Sequence, residues 1–133
     1  MIEKTLVLLK PDAVERNLIG HILVEYERNG LRILEMKLMK ASSTLAEQHY
    51  IEHKGKPFFD RLVAYLTRGP LVALVLEGEN AISRVRALNG TTDPADSQDN
   101  TIRALYGKSM SENTVHASDS TESSKRERAI WFG

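Results

Sequence analysis

Apolar residues fall along the chain in blocks whose period changes, and each change marks an element. Residues 5–9 (Thr-Leu-Val-Leu-Leu) form an apolar run stopped by Pro11, the pattern of a strand covered on both faces. Ile19, Ile22, Leu23 and Tyr26 take the i, i+3, i+4, i+7 spacing of an amphipathic helix, closed by Asn29-Gly30. Between Leu31 and Lys40 the period drops to two. Leu34, Met36 and Leu38 share one side and Glu35 and Lys37 the other, so a strand is expected whose Glu/Lys face is the wetter. Thr44-Leu45-Ala46-Glu47 matches a capping box and predicts a helix carrying His49, Tyr50 and His53. After Lys54-Gly55-Lys56-Pro57, a second helix is marked by Phe58, Phe59, Leu62, Val63 and Leu66. Leu71 to Leu76 is the clearest strand. Asn80 is expected to cap a helix with Ile82, Val85 and Leu88 that stops at Asn89-Gly90.

From Thr91 to Gly107 periodicity is lost, save a short turn at Thr101–Tyr106. Lys108 to Arg128 is rich in Ser and Thr, and composition alone reads it as a flexible tail. Within it, Thr114 to Ala117 has the make-up of a last short strand, and Ser120 or Thr121 that of a cap on a closing helix through Glu127. No repeat or linker divides residues 1–133, which are expected to form one domain. Strands alternating with helices suggest a parallel α/β sheet, although periodicity does not report strand direction.

Composition narrows the function. A chain of 133 residues is long enough for its own core, and 41% hydrophobic with 27% charged residues is ordinary globular usage. Lys+Arg and Asp+Glu both total 18, so the basic excess of a nucleic-acid coat or a membrane-surface binder is missing. An RNA-binding sheet would also carry aromatics on its central strands, and Leu6–Leu9 and Leu71–Leu76 have none. No apolar window approaches membrane-spanning length. With no cysteine there is no disulfide frame, thiolate nucleophile or cysteine metal site. The expectation is a cytoplasmic protein with no membrane and no specific nucleic-acid partner.

Several residues carry candidate chemistry. His49-Tyr50-Ile51-Glu52-His53 formally fits the H-x-x-E-H pattern of zinc peptidases, but no third ligand is nominated, and a polar helix face is the better reading. Lys10 ends the first strand and is held by Pro11, a rigid edge from which a point charge suits a phosphoryl oxygen. Neither G-x-x-x-x-G-K-[ST] nor G-x-G-x-x-G is present. Arg86 and Arg103 flank the loop that begins Gly90-Thr91-Thr92, and with Lys10 they could neutralise a polyphosphate. His116 stands between Val115 and Ala117, with Glu127 eleven residues on. A carboxylate on a returning helix would bind one ring N–H, fix the tautomer and leave the other nitrogen free, as a nucleophilic imidazole requires.

Taken together these residues resemble the nucleoside diphosphate kinase family, from Lys4 to Glu127. The resemblance rests on Lys10-Pro11-Asp12-Ala13, Tyr50, Pro57-Phe58-Phe59, Gly69-Pro70, Leu76-Glu77-Gly78, Arg86, Gly90, Thr92, Pro94, Thr101-Ile102-Arg103 and Asn113. Its most specific part is His116-Ala117-Ser118-Asp119-Ser120. The resemblance implies ping-pong transfer of the γ-phosphate of a nucleoside triphosphate to a nucleoside diphosphate, through His116 as nucleophile. It implies catalytic support from Glu127, Ser118, Lys10 and Tyr50, and nucleotide binding by Lys10, Phe58, Arg86, Thr92, Arg103 and Asn113. Mg2+ is expected to arrive on the nucleotide phosphates with no protein ligand. The implied fold is α+β and ferredoxin-like: βαββαβ, a four-stranded antiparallel sheet, with the helical pair of residues 44–67 inserted. A homo-oligomer is implied, and a tetramer is expected rather than a hexamer. Asp93, Asp99-Asn100, Ala104-Leu105-Tyr106 and Arg128 depart from the family pattern, which questions the packing of the loop after Gly90 and the docking of the last helix.

Overall fold

The computed structural model describes residues 1–91, 98, 101–107 and 113–133. β1 (Ile2–Leu9), β2 (Arg32–Met39), β3 (Leu71–Glu79) and β4 (Val115–Ala117) form one sheet in the order β2-β3-β1-β4. Every neighbouring pair is antiparallel. This corrects the parallel sheet that alternation suggests and agrees with the ferredoxin-like order. β1 and β2 do run the same way, as a helical crossover demands, but β3 lies between them and opposes both.

The helices cover both faces. α1 (Pro11–Glu15) and α2 (Ile19–Arg28) link β1 to β2, and α5 (Ala81–Asn89) and α6 (Ile102–Tyr106) follow β3. These pack on Val7, Leu9, Val72, Leu74 and Leu76. α3 (Ser43–His49), a 3₁₀ turn (Ile51–His53) and α4 (Phe59–Thr67) are inserted between β2 and β3, and α7 (Thr121–Phe132) closes the chain. α3, α4 and α7 pack on Leu6, Leu8, Leu71 and Ala73. The unbroken apolar runs of β1 and β3 therefore report two covered faces and say nothing of direction.

Local expectations are corrected at several places. The cap of α3 is Ser42, whose Oγ accepts the Leu45 N–H at 3.1 Å, and not Thr44. The helix ends at His49, so His53 lies on the 3₁₀ turn. Asn80 precedes α5 with a left-handed φ of 51° and no side-chain cap; Glu3 Oε1 accepts the Ile82 N–H at 3.1 Å instead. On β2 it is the apolar side that faces outward: Leu34, Met36 and Leu38 are 38%, 53% and 62% exposed. β2 is an edge strand, and a register shift between Ile33 and Glu35 changes which residues meet the core. The Ser/Thr-rich segment is not a tail, since β4 and α7 occupy most of it. Of the two candidates, Ser120 caps α7, accepting the Ser123 N–H at 3.0 Å.

The departures that fall on described residues are accommodated. Ala104-Leu105-Tyr106 lies in α6, where Thr101 Oγ1 accepts the Ala104 N–H and Tyr106 packs on the core. Arg128 folds back, Nε donating to Ser124 O at 3.2 Å and to Ser124 Oγ at 3.1 Å. α7 is anchored by Trp131, 2% exposed among Leu6, Leu8, Ala46 and Leu66. Trp131→Ala is expected to lower stability by about 3–5 kcal/mol, measured by denaturant unfolding, because it opens a cavity and unpairs a buried nitrogen of His49.

Candidate active site

The site is built around β4. In its register His116 lies opposite Leu8, so its ring points to the face covered by α3, α4 and α7. Val115 and Ala117 point the other way, into the core under α1, α2 and α5. α7 returns across that face and places Glu127, 4% exposed, against the ring. Glu127 Oε1 lies 2.8 Å from His116 Nε2 and accepts the Ser118 hydroxyl at 2.9 Å. Ser118 is itself held, its Oγ accepting the Leu6 N–H at 3.2 Å. A carboxylate only accepts, so Nε2 carries the ring proton and Nδ1 keeps its lone pair.

His116 lines a cavity of about 470 Å³ together with Lys10, Arg86, Arg103 and Asn113. Lys10 Nζ donates to Asn113 Oδ1 at 3.0 Å. Arg103 is anchored by Gly90 O at 2.7 Å and Val115 O at 2.8 Å, and Arg86 donates to Ala117 O at 3.3 Å. The cations shape each other and the histidine. Burial, with Arg103 adding and Asp12 opposing, brings Lys10 down to about 7. Burial brings Arg103 to about 10, which leaves it charged at neutral pH. Burial first, then Lys10, Arg103 and Arg86, holds His116 well below the usual imidazole range, so the ring is neutral and nucleophilic. Burial pushes the Glu127 carboxyl up, opposed by His49, the Ser118 hydroxyl and Arg126.

Phe58, which also lines the cavity, precedes α4, its ring 5.4 Å from His53 and 5.8 Å from the Lys56 ammonium. Tyr50 is buried beside the histidines, and among the described residues its hydroxyl has no partner; burial holds it protonated. The structure thus brings together Lys10, Tyr50, Phe58, Arg86, Arg103, Asn113, His116, Ser118 and Glu127. Thr92 lies outside the described residues, as do Asp93 and Asp99-Asn100.

The family model "Nucleoside diphosphate kinase" matches residues 3–133. The chain belongs to the nucleoside diphosphate kinase family. A relative of that name from Clostridium perfringens is 54% identical over 131 residues, covering 98% of this chain and 92% of the relative. One from Sulfurisphaera tokodaii is 49% identical over 98% of this chain and 89% of the relative. The crystal structure of the Aquifex aeolicus nucleoside diphosphate kinase superposes with a TM-score of 0.97 at 40% identity, covering all of this chain and 96% of that one. The Halobacterium salinarum nucleoside diphosphate kinase in complex with CDP gives 0.96 at 43% identity, over 99% and 88%.

Two features of this family member escape sequence reading. His49 is not part of a polar helix face. It is 4% exposed, its ring centroid 4.4 Å from that of His116, and its Nδ1 accepts the Trp131 indole N–H at 3.1 Å. His49, His116 and Glu127 carry metal-type donors within 4.8 Å of one another. The Trp131 bond, however, leaves His49 with a proton on Nε2 rather than a second lone pair, and Glu127 is committed to His116 and Ser118. The other feature is Asp12, wholly buried beneath Lys10 and bonded to Tyr65 and Thr114. The sequence signals Asp12 through the Lys10-Pro11-Asp12-Ala13 motif but says nothing of its burial or of its partners.

Proposed function

We propose that the protein is a nucleoside diphosphate kinase working by a ping-pong reaction through His116. The supporting observation is a neutral imidazole whose Nε2 is bonded to a buried carboxylate, in a cavity it shares with Lys10, Arg86 and Arg103. The Nδ1 lone pair attacks the γ-phosphorus of a nucleoside triphosphate. The Nδ1–P bond forms, the bond from phosphorus to the β,γ-bridging oxygen breaks, and the diphosphate leaves with that electron pair. Glu127 stabilises the positive charge the ring acquires, and the hydroxyl of Ser118 keeps the carboxylate in place. A terminal oxygen of a second nucleoside diphosphate then takes the phosphoryl group, and His116 returns to its starting form.

Such transfer asks for positioning and charge neutralisation, which Lys10 and the two arginines supply, with Asn113 orienting Lys10. Tyr50 walls the site, and Thr92 is assigned with the binding groups by its place in the family pattern. Stacking of the base on Phe58 gives broad base tolerance, because every base offers a π-face. Members of this family generally use a divalent metal with the nucleotide; we assign Mg2+, held by the phosphates, since the groups around His116 are mostly cationic.

Intact mass after incubation with Mg-ATP and removal of nucleotide tests the reading. One added phosphoryl group on His116, discharged by GDP, supports it. Binding of ATP with no mass gain overturns it in favour of a catalytically dead relative.

Lys10 adds a pH dependence. Bound phosphates raise its pKa from about 7, so above that pH binding recharges it. Affinity for ADP is therefore expected to fall as pH rises from 7. At pH 8, binding takes up about one proton, seen by calorimetry in buffers of different ionisation enthalpy. No proton uptake at pH 8 would contradict this.

We also propose a homo-oligomer, a tetramer, acting in the cytoplasm. The outward apolar row Leu34, Met36 and Leu38 on the edge strand, with Val24 nearby in sequence on α2 and 51% exposed, supports self-association. Sedimentation decides between four chains and six. Among the described residues no helix is long and apolar enough to cross a membrane.

A further inference from the structure

Asp12 is wholly buried, with both carboxylate oxygens engaged. Tyr65 OH donates to Oδ1, and Thr114 Oγ1 donates to Oδ2 at 2.8 Å. Thr114 is a threonine at φ 77°, a left-handed conformation that a β-branched residue holds only when its surroundings impose it. Its carbonyl accepts the Lys10 N–H at 2.8 Å, and Asn113, next to it, accepts from Lys10 Nζ at 3.0 Å. The carboxylate thus ties the start of α1 to the turn before β4, with Lys10 caught between them.

We propose that Asp12 is a positioning residue for phosphate binding: through Thr114 it holds the Asn113–Thr114 turn against Lys10, and its buried carboxylate partly offsets the charge of Arg103 at the Lys10 ammonium. The groups around Lys10 make the second role necessary. Arg103 on α6 opposes its charge, His49 on α3 and His116 on β4 are neutral, and Tyr65 on α4 offers only its ring face at 5.7 Å. Asp12 is the anion that acts in the other direction. Arg16, 3.7 Å from Oδ2, and Arg68, which stacks on Tyr65 at 5.0 Å, help keep Asp12 itself ionised against its burial. The argument rests on the reading above only in that phosphates bind at Lys10.

Asp12→Asn tests it, because the amide can still accept one of the two hydroxyl bonds but carries no charge. ADP binding by calorimetry and KM for ATP are followed against pH, beside the unsubstituted protein. The expected result is that the pH at which KM begins to rise moves down by about one unit, and that proton uptake at pH 7 increases, with kcat at pH 6 changed less than threefold. An unmoved inflection and unchanged proton uptake would overturn the counter-charge. A merely structural role would lower stability without moving the profile. Should that variant not fold, Thr114→Val removes the tie alone. It is expected to raise KM about tenfold at every pH with kcat nearly unchanged, and an unaltered KM would overturn the positioning role. Failure of the unsubstituted protein to bind ADP would instead count against the functional assignment itself.

Discussion

The His116→Ala protein is expected to gain no phosphoryl group from Mg-ATP and to lose transfer by about 10⁴-fold or more, with ADP affinity within about threefold of the parent. The two halves of this result follow from different parts of the site. His116 offers the Nδ1 lone pair that the β4 register and the Glu127 hydrogen bond leave free for attack. The groups proposed to hold phosphate are anchored independently of its ring: Lys10 through Asn113, and Arg103 through Gly90 and Val115 carbonyls. A coupled transfer assay and calorimetry on the same preparation make the check. Transfer surviving the substitution would sink the histidine mechanism. Loss of binding along with transfer would mean that the imidazole is part of the phosphate pocket.

Glu127→Gln is expected to lower kcat by about 100-fold, or about 2.7 kcal/mol of transition-state stabilisation, with KM little changed. The amide oxygen can still accept from His116 Nε2, so the tautomer survives and Nδ1 stays free. What is lost is a buried negative charge beside a ring that becomes positive as the Nδ1–P bond forms. Because Glu127 is 4% exposed, water does little to replace that charge. Single-turnover kinetics isolates the effect, since the rate of phosphohistidine formation falls in the same proportion as kcat. A variant within twofold of the parent would show that orientation alone, without charge, is what the carboxylate contributes.

Legibility of the site depended on how its residues are spaced. Lys10 at a strand end and His116 with Glu127 are short-range patterns with a chemical reason, and both appear where that reason places them. His49 reads from the sequence as part of a polar helix face, because no third ligand completes the His49–His53 pattern. Its burial is decided by Trp131, 82 positions away, which no local pattern reports. Asp12 is hidden in the same way, since Tyr65 and Thr114 reach it from 53 and 102 positions along the chain.

By itself the sequence determined the strands and helices that bury apolar rows, the absence of cysteine chemistry, and the candidate groups for handling phosphate. These follow from local periodicity and from the chemistry of single side chains, and both are read one segment at a time. Strand direction, the outward turn of the Leu34–Leu38 row, and the Trp131–His49–His116 and Asp12–Thr114–Lys10 connections were decided only by the tertiary structure. Each depends on which distant segment lies alongside, and hydrogen bonds and buried charges act over a few ångströms of space however far apart their partners stand in the chain.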